Sequence, residues 1–234
     1  IDFSRHGFPT RHHEDWKYTT VDALAQQRFL RSDATSKKRL SNKHPDIGCS
    51  IALVNGVVIG AEETRTALPT GVIVQSLSEA LIEHEEKIKL YLNQILQQEH
   101  GFQSLNTAML QSGLFIYIPA GVQVMTPLFL SHWQDIENQA NYVRHVIVAE
   151  AGSSATIIED YTGCSETAYF TNTITEVYVG AKAQLTHYKI QRESKKAYHI
   201  GHLAVKQAES SEFSSHSLSV GGKLVRSDII IGLE

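Results

Sequence analysis

The sequence predicts a mainly β protein in which a parallel β-helix, or β-solenoid, follows a mixed α/β N-terminal region. Turn-like segments begin at Ala120, Ala151, Gly180 and Ala208, at intervals of 31, 29 and 28 residues. A near-constant period in this range indicates stacked structural units. Each segment is followed by alternating apolar and polar residues rich in Thr, Val, Ile and Tyr, which is the pattern of a β-strand.

The first part of the chain predicts little regular structure. Residues 1–19 are expected to form an extended arm, because Pro9 and the polar residues around it show no apolar period. A first helix is expected from about Thr20. Residues 31–46 are polar and predict a loop, and the basic cluster Lys37–Arg39 within them is interpreted as an exposed turn.

A hairpin and a short strand are predicted next. Asn55 and Gly56 separate the apolar runs 50–54 and 57–59, and both turn residues tolerate positive φ, so this dipeptide is a strong hairpin signal. A further short strand is expected over residues 71–75.

The segment after this strand predicts one long helix. Ser76 and Glu79 have the spacing of a capping box, which marks a helix N-terminus. Apolar residues then recur at helical spacing, so the helix is expected to run from Ser76 to about Gln98 and to pack against the core.

From Leu114 onward, helical periodicity is replaced by successive runs of strand-forming residues. One of these strands is expected over residues 122–130. The sequence therefore predicts two regions: residues 1–113 with the arm, helices and hairpin, and residues 114–234 with the β-helix core. The core is expected to be incomplete at its C-terminus, because a fifth turn segment would fall near residue 236.

Composition limits the functional classes. The chain of 234 residues has 21 Lys and Arg against 25 Asp and Glu, which gives no electrostatic basis for binding nucleic acid or an anionic membrane. Its apolar runs are shorter than the ~18 residues of a membrane span. Cys49 and Cys164 are far apart and form no CxxC motif, which favours two reduced thiols in a cytoplasmic protein.

The twelve histidines raise the question of a metal site, which needs several ligands at one point. His199 and His202 are three apart in a strand run, so they should point to opposite faces. His145, His187 and His216 also fall on strands and could line one face of a solenoid, although spacing does not establish it. No metal-ligating residue is predicted.

The sequence also shows no strong catalytic motif. Glu159 and Asp160 should face opposite ways on a strand, while Glu176 and Glu193 lie in different coils without an evident companion. The run Gly221–Lys223 is too short for a phosphate loop and predicts a turn, and no GxSxG elbow occurs. No catalytic or cofactor-binding residue is predicted.

A family resemblance adds to this interpretation. The run Phe8–Thr19 (FPTRHHEDWKYT) resembles a segment of SufD-type proteins in the SUF iron–sulfur cluster assembly system. The runs Val177–Gln191, Ser215–Ser217 and Gly221–Arg226 resemble the shared core of the SufB/SufD family. The resemblance implies a right-handed parallel β-helix after a mixed N-terminal region.

The resemblance also implies a function. It implies a non-catalytic scaffold subunit, not an enzyme, that acts with a SufB-like protein and a SufC-like ATPase. The iron–sulfur cluster would be assembled on that complex, with none bound by this chain alone, because the family's ligand positions are expected beyond Glu234. When alone, the chain is expected to form a homodimer or to aggregate through its last coil. The alternatives are a β-helix carbohydrate-active enzyme and a purely structural solenoid.

Overall fold

The computed structural model describes residues 3–32, 49–59, 68–96 and 101–234, and it is dominated by strands. The helical elements are α1 (Phe3–His6), a 3₁₀ turn (Glu14–Trp16), α2 (Asp22–Gln26), α3 (Leu77–Glu83), α4 (Glu85–Ile88) and α5 (Gly101–Met109). The early strands are β1 (Leu30–Arg31), β2 (Cys49–Val54), β3 (Val57–Ile59), β4 (Ile73–Ser76) and β5 (Leu114–Ile118). The later strands are β6 (Leu128–Gln134), β7 (Gln139–Ala149), β8 (Ser154–Gly163), β9 (Phe170–Val179), β10 (Gln184–Gln191), β11 (Tyr198–Gln207), β12 (Glu212–Ser219) and β13 (Leu224–Leu233).

The strands form two sheets that the chain visits alternately. Sheet 1 has the order β13-β11-β9-β7-β5-β4, with β1 also paired to β7, and sheet 2 has the order β12-β10-β8-β6-β2-β3. Every pairing among the strands β5 to β13 is parallel. Within this range the odd strands therefore stack in sheet 1 and the even strands in sheet 2, which confirms the predicted β-helix.

The turns at one edge stack as the repeat predicts. The backbone N–H of Gly121 donates to the carbonyl of Ala151, and the N–H of Gly152 donates to that of Ala181, both at 2.9 Å. The equivalent residue of the third turn, Lys182, also has a left-handed backbone, with φ of 60°. Each turn thus places one left-handed residue at the same point, a conformation that glycine adopts without steric cost.

The N-terminal region closes the first coil. The predicted hairpin is confirmed: β2 and β3 pair antiparallel around Asn55 and Gly56, whose φ values are 49° and 84°. β2 also pairs with β6 in sheet 2, and β4 pairs antiparallel with β5 in sheet 1, so this region extends both sheets. Both strands cover sheet edges that would otherwise expose unpaired backbone groups.

The prediction of one helix over residues 76–98 is wrong beyond its start. The capping box of Ser76 and Glu79 is present, but α3 ends at Glu83 and α4 at Ile88. The backbone N–H groups of Asn93 and Ile95 donate to the side chain of Glu176 instead of continuing a helix. Hydrogen bonds to this buried carboxylate on β9 thus replace the helical hydrogen bonds that the apolar spacing predicts.

The prediction of an extended arm over residues 1–19 is also wrong. This segment contains α1 and the 3₁₀ turn, and its Trp16 is only 2% exposed. The Trp16 ring lies 5.3 Å from that of Phe102, and the guanidinium of Arg226 lies 4.0 Å from the Trp16 ring centroid. The segment is held by aromatic packing, which alternating or helical periodicity does not reveal.

Two smaller predictions need correction, and one helix was not predicted. The first helix is only the short α2, and the strand expected over 122–130 begins at Leu128. The helix α5 was not predicted; it lies on the outer face of sheet 1, where the Asn106 amide donates to the carbonyls of Val143 and Asn172. The expected turn at Lys37–Arg39 lies outside the described residues.

Candidate functional site

The space between the two sheets, here called the bore, is divided into an apolar and a polar half. In the apolar half, Ile147, Val177 and Val205 of sheet 1 share one core cluster with Ile157 and Leu185 of sheet 2. These residues are at most 3% exposed. This half lies next to the stacked turns and supplies the hydrophobic stabilisation of the β-helix.

The other half, here called the polar bore, is filled with hydrogen-bonding and titratable side chains. All of them except Lys189 are buried. Burying such groups is costly unless they form hydrogen bonds with one another or with water. The polar bore consists of His132, Asn141, His145, Glu159, Tyr161, Thr171, Thr173, Thr175, His187, Lys189, Gln191, Glu193 and His199.

Glu159 is one centre of this network. Its carboxylate accepts hydrogen bonds from the Tyr161 hydroxyl (2.6 Å), Thr175 Oγ1 (2.9 Å) and His187 Nε2 (3.2 Å). Burial acts to raise the pKa of Glu159, but the hydrogen bond from His187 and the surrounding positive charge outweigh it, so the pKa lies well below its ordinary value. Glu159 is therefore a buried anion.

Glu193 is the second centre, one coil further along. It accepts hydrogen bonds from His199 Nδ1 (2.7 Å), Thr171 Oγ1 (2.8 Å) and Gln191 Nε2 (3.0 Å). Burial again acts to raise its pKa, and the interactions with His199 and its other donors lower it overall. Each carboxylate thus holds one imidazole in a fixed orientation.

Aromatic rings connect the two centres. His132 stacks on Tyr161 with ring centroids 4.1 Å apart and meets His145 edge-on at 5.2 Å. Tyr161 in turn meets His199 edge-on at 4.8 Å. Burial lowers the pKa of His132, of His145 and of His199, so these imidazoles are neutral at neutral pH.

Lys189 occupies space that a missing side chain leaves open. A methyl group at Gly201 would overlap Lys189 Nζ and would lie 3.1 Å from His199 Nε2. The ammonium lies 5.2 Å from the centroid of the Tyr161 ring, within cation–π range. Lys189 is half-buried, and this partial loss of hydration lowers its pKa, while its positive charge further favours neutral His199.

A buried ion pair lies on the opposite, outer face of sheet 1. Arg144 Nε donates to Glu176 Oε1 at 2.8 Å, and both side chains are at most 1% exposed. The remaining guanidinium nitrogens donate to Thr107 Oγ1 and Asn93 Oδ1. The pair, here called the latch, thus joins sheet 1 to two segments of the N-terminal region.

The structure separates the histidines considered from the sequence. His199 points into the bore, whereas His202 faces outward and contacts Gln103, so their opposite orientation is confirmed. His145 and His187 lie in the polar bore. His216 does not share their face: it is exposed and stacks on the outward ring of Tyr188 at 4.9 Å.

The carboxylates also have defined places. Glu159 faces inward, and Asp160 faces outward and pairs with Arg192 at 2.7 Å, as their alternation predicts. The sequence predicts no carboxylate companion for Glu176 or Glu193, and their partners in the structure are the basic side chains of Arg144 and His199. Their partners come from a neighbouring strand or corner of the stack, which a search for local motifs misses.

Within the described ranges, no group of three or more His, Cys, Asp or Glu side chains is arranged to hold a metal ion. Cys49 is buried and Cys164 is half-buried, and both are free thiols. That the chain binds no metal or cofactor of its own stays a prediction. None of the helices in the described part of the chain is long and apolar enough to cross a membrane.

The fold and its interior define a class of protein: a β-solenoid with a polar bore, covered on one sheet by an N-terminal region. The chain belongs to the SufBD family of the SUF system for FeS cluster assembly. The family's core domain matches residues 132–234, and the SufBD protein N-terminal region matches residues 1–130.

Relatives agree with this assignment. The chain is 28% identical over 232 residues to the iron–sulfur cluster assembly protein SufD of Escherichia coli, covering 95% of this chain and 51% of that protein. It is 26% identical over 235 residues to a SufBD family protein of Synechocystis, covering 94% of this chain and 52% of the relative. The chain thus spans about half the length of these relatives.

Proposed function

We propose that this chain is part of a SufD-like, non-catalytic scaffold subunit that acts with a SufB-like protein and a SufC-like ATPase in the cytoplasm. The observation that carries the proposal is the family match, which extends from residue 1 to 130 and from 132 to 234. The similarity to SufD of Escherichia coli over nearly the whole chain supports the SufD-like branch.

The chemistry of the interior supports a scaffold over an enzyme. Glu159 and Glu193 are buried, and each already accepts hydrogen bonds from three neighbours. A glycosidase needs two carboxyl groups that reach the substrate, one of them protonated. Two buried anions held by internal donors do not meet that requirement, so the carbohydrate-active alternative is not favoured.

Affinity capture tests the proposal directly. The tagged full-length protein that contains this chain is expressed with the SufB-like and SufC-like proteins of its own genome. We expect all three to elute together. Recovery of the tagged protein alone, while tagged SufD from Escherichia coli captures its own partners under the same conditions, would contradict the proposed function.

A further inference from the structure

The turns beside the polar bore form a distinct edge of the β-helix, here called the polar corner. It comprises residues 135–138, 164–169 and 192–197, which link β6 to β7, β8 to β9 and β10 to β11. Glu193 lies within the last of these turns and bonds to the polar bore. The hydroxyl of buried Tyr169 accepts a hydrogen bond from the Ser194 N–H at 3.3 Å.

The corner turns depend on this polar packing in addition to their stacking hydrogen bonds. Cys164 N–H donates to the carbonyl of Gln134 at 2.8 Å, and Arg192 N–H donates to that of Tyr161 at 2.9 Å. Inside the corner, Asn141 Nδ2 donates to Gln134 Oε1 at 2.7 Å. At the opposite edge, the inward residues beside the turns include Ala155, Ala183, Leu185 and Val179, none of which titrates.

We propose that the polar bore is a proton-sensitive lock: protonation of its imidazoles opens the polar corner, while the apolar half keeps the two sheets stacked. The titratable groups that face these imidazoles come from β6, β7, β8, β10, β11 and the polar corner. They are His132 on β6, His145 on β7, Glu159 and Tyr161 on β8, His187 and Lys189 on β10, Glu193 in the corner and His199 on β11. Asp228 on β13 lies on the outer face of sheet 1, where it pairs with Arg226.

Charge balance explains why the lock opens. At neutral pH the bore holds the anions Glu159 and Glu193 and the cation Lys189 beside neutral His132, His145 and His199. Each proton taken up adds a positive charge near Lys189 in a poorly hydrated interior. The first charges are offset by the two carboxylates, and further ones are not, so a conformation that hydrates the imidazoles becomes favoured.

The sign of the pH dependence follows from the linkage between histidine protonation and opening of the polar corner. A histidine held neutral in the closed state binds a proton more readily once exposed, so closed-state stability is complete above the ordinary histidine pKa of about 6.5 and falls as pH drops below it. For one such histidine, the opening constant rises about eightfold between pH 7.0 and 5.5.

Hydrogen exchange of the full-length protein tests this, with rates corrected for the intrinsic pH dependence of exchange. The corner is reported by the amides of Asn138, Cys164, Arg192 and Tyr198, and the apolar edge by those of Gly121, Gly152, Lys182 and Gln184. We expect corner protection to fall at least eightfold between pH 7.0 and 5.5 while protection at the apolar edge changes less than twofold.

Variants separate the lock from general acid unfolding. His145→Gln and His199→Gln should each flatten the pH dependence of corner protection, whereas the exposed, outward His216→Gln should leave it as in the wild type. If a bore variant fails to fold, the wild-type profile alone decides. Equal loss of protection at both edges, no pH dependence at the corner, or an equal effect of His216→Gln would overturn the proposal.

Discussion

At the scale of single residues, Gly201 shapes the polar bore by having no side chain. Its neighbours in sheet 1 are Thr173 and Ser227, and the missing side chain at Gly201 leaves room for the Lys189 ammonium. Because Lys189 influences the protonation of His199, the space at Gly201 also affects the charge of the bore. The missing side chain at Gly201 thus influences the protonation of His199.

Gly201→Ala should therefore destabilise the protein by about 1–3 kcal/mol, the usual cost of overpacking a core. The physical reason is overlap of the new methyl group with Lys189 Nζ. Denaturant unfolding measures the change. In a Lys189→Ala background the same substitution should cost much less, and equal costs in the two backgrounds would show that Lys189 does not fill this space.

The orientations of bore residues could be predicted from the sequence, but their partners could not. Strand alternation correctly separates Glu159 from Asp160 and His199 from His202. The partner of Glu159 is His187, 28 residues later on the next strand of sheet 2, and identifying it requires the register between coils. The repeat gives that register only if each strand boundary is known to within one residue.

At the scale of elements, the latch explains both a failed helix prediction and the attachment of the N-terminal region. Residues 89–96 have helical apolar spacing, yet Asn93 has φ of 62° and several of their N–H groups bond to Glu176. This arrangement depends on β9, some 80 residues away in sequence. Local periodicity contains no information about such a partner, whereas the hairpin at Asn55 and Gly56 is determined locally and was predicted correctly.

Removing the charge of the latch should be costly. Glu176→Gln leaves the Arg144 guanidinium buried without its counter-ion, so we expect a loss of about 3–5 kcal/mol in the free energy of unfolding. The matched control is Glu166→Gln, which removes an exposed ion pair with Lys196 and should change stability by less than about 1 kcal/mol. Similar values for the two variants would mean that the latch contributes no more than a surface pair.

One substitution in the stacked turns is expected to raise the stability of the protein. Lys182 has φ of 60° at the position where earlier turns have Gly121 and Gly152. Lys182→Gly removes the steric cost of the left-handed backbone and should stabilise the protein by about 0.5–1 kcal/mol, after the greater flexibility of glycine in the unfolded chain is counted. Thermal unfolding measures it, and a clearly lower midpoint would show that the Lys182 side chain contributes more than its strain costs.

At the scale of the whole molecule, the β-helix combines two interiors with different roles. The apolar half holds the sheets together, and the polar half places titratable groups where solvent is largely excluded. The N-terminal region covers the outer face of sheet 1 through the latch, α5 and the aromatic cluster around Trp16. The repeat period predicted the stacking of the coils. The division of the bore into an apolar and a polar half becomes visible only when the inward-facing residues of both sheets are considered together.

We propose that this chain serves iron–sulfur cluster assembly as part of a scaffold subunit. The most direct test measures iron and acid-labile sulfide in the SufB-like and SufC-like proteins purified from cells that contain or lack the full-length protein. We expect cluster content to fall severalfold when this subunit is missing and to return when it is restored. Equal iron and sulfide in both preparations would contradict the claim.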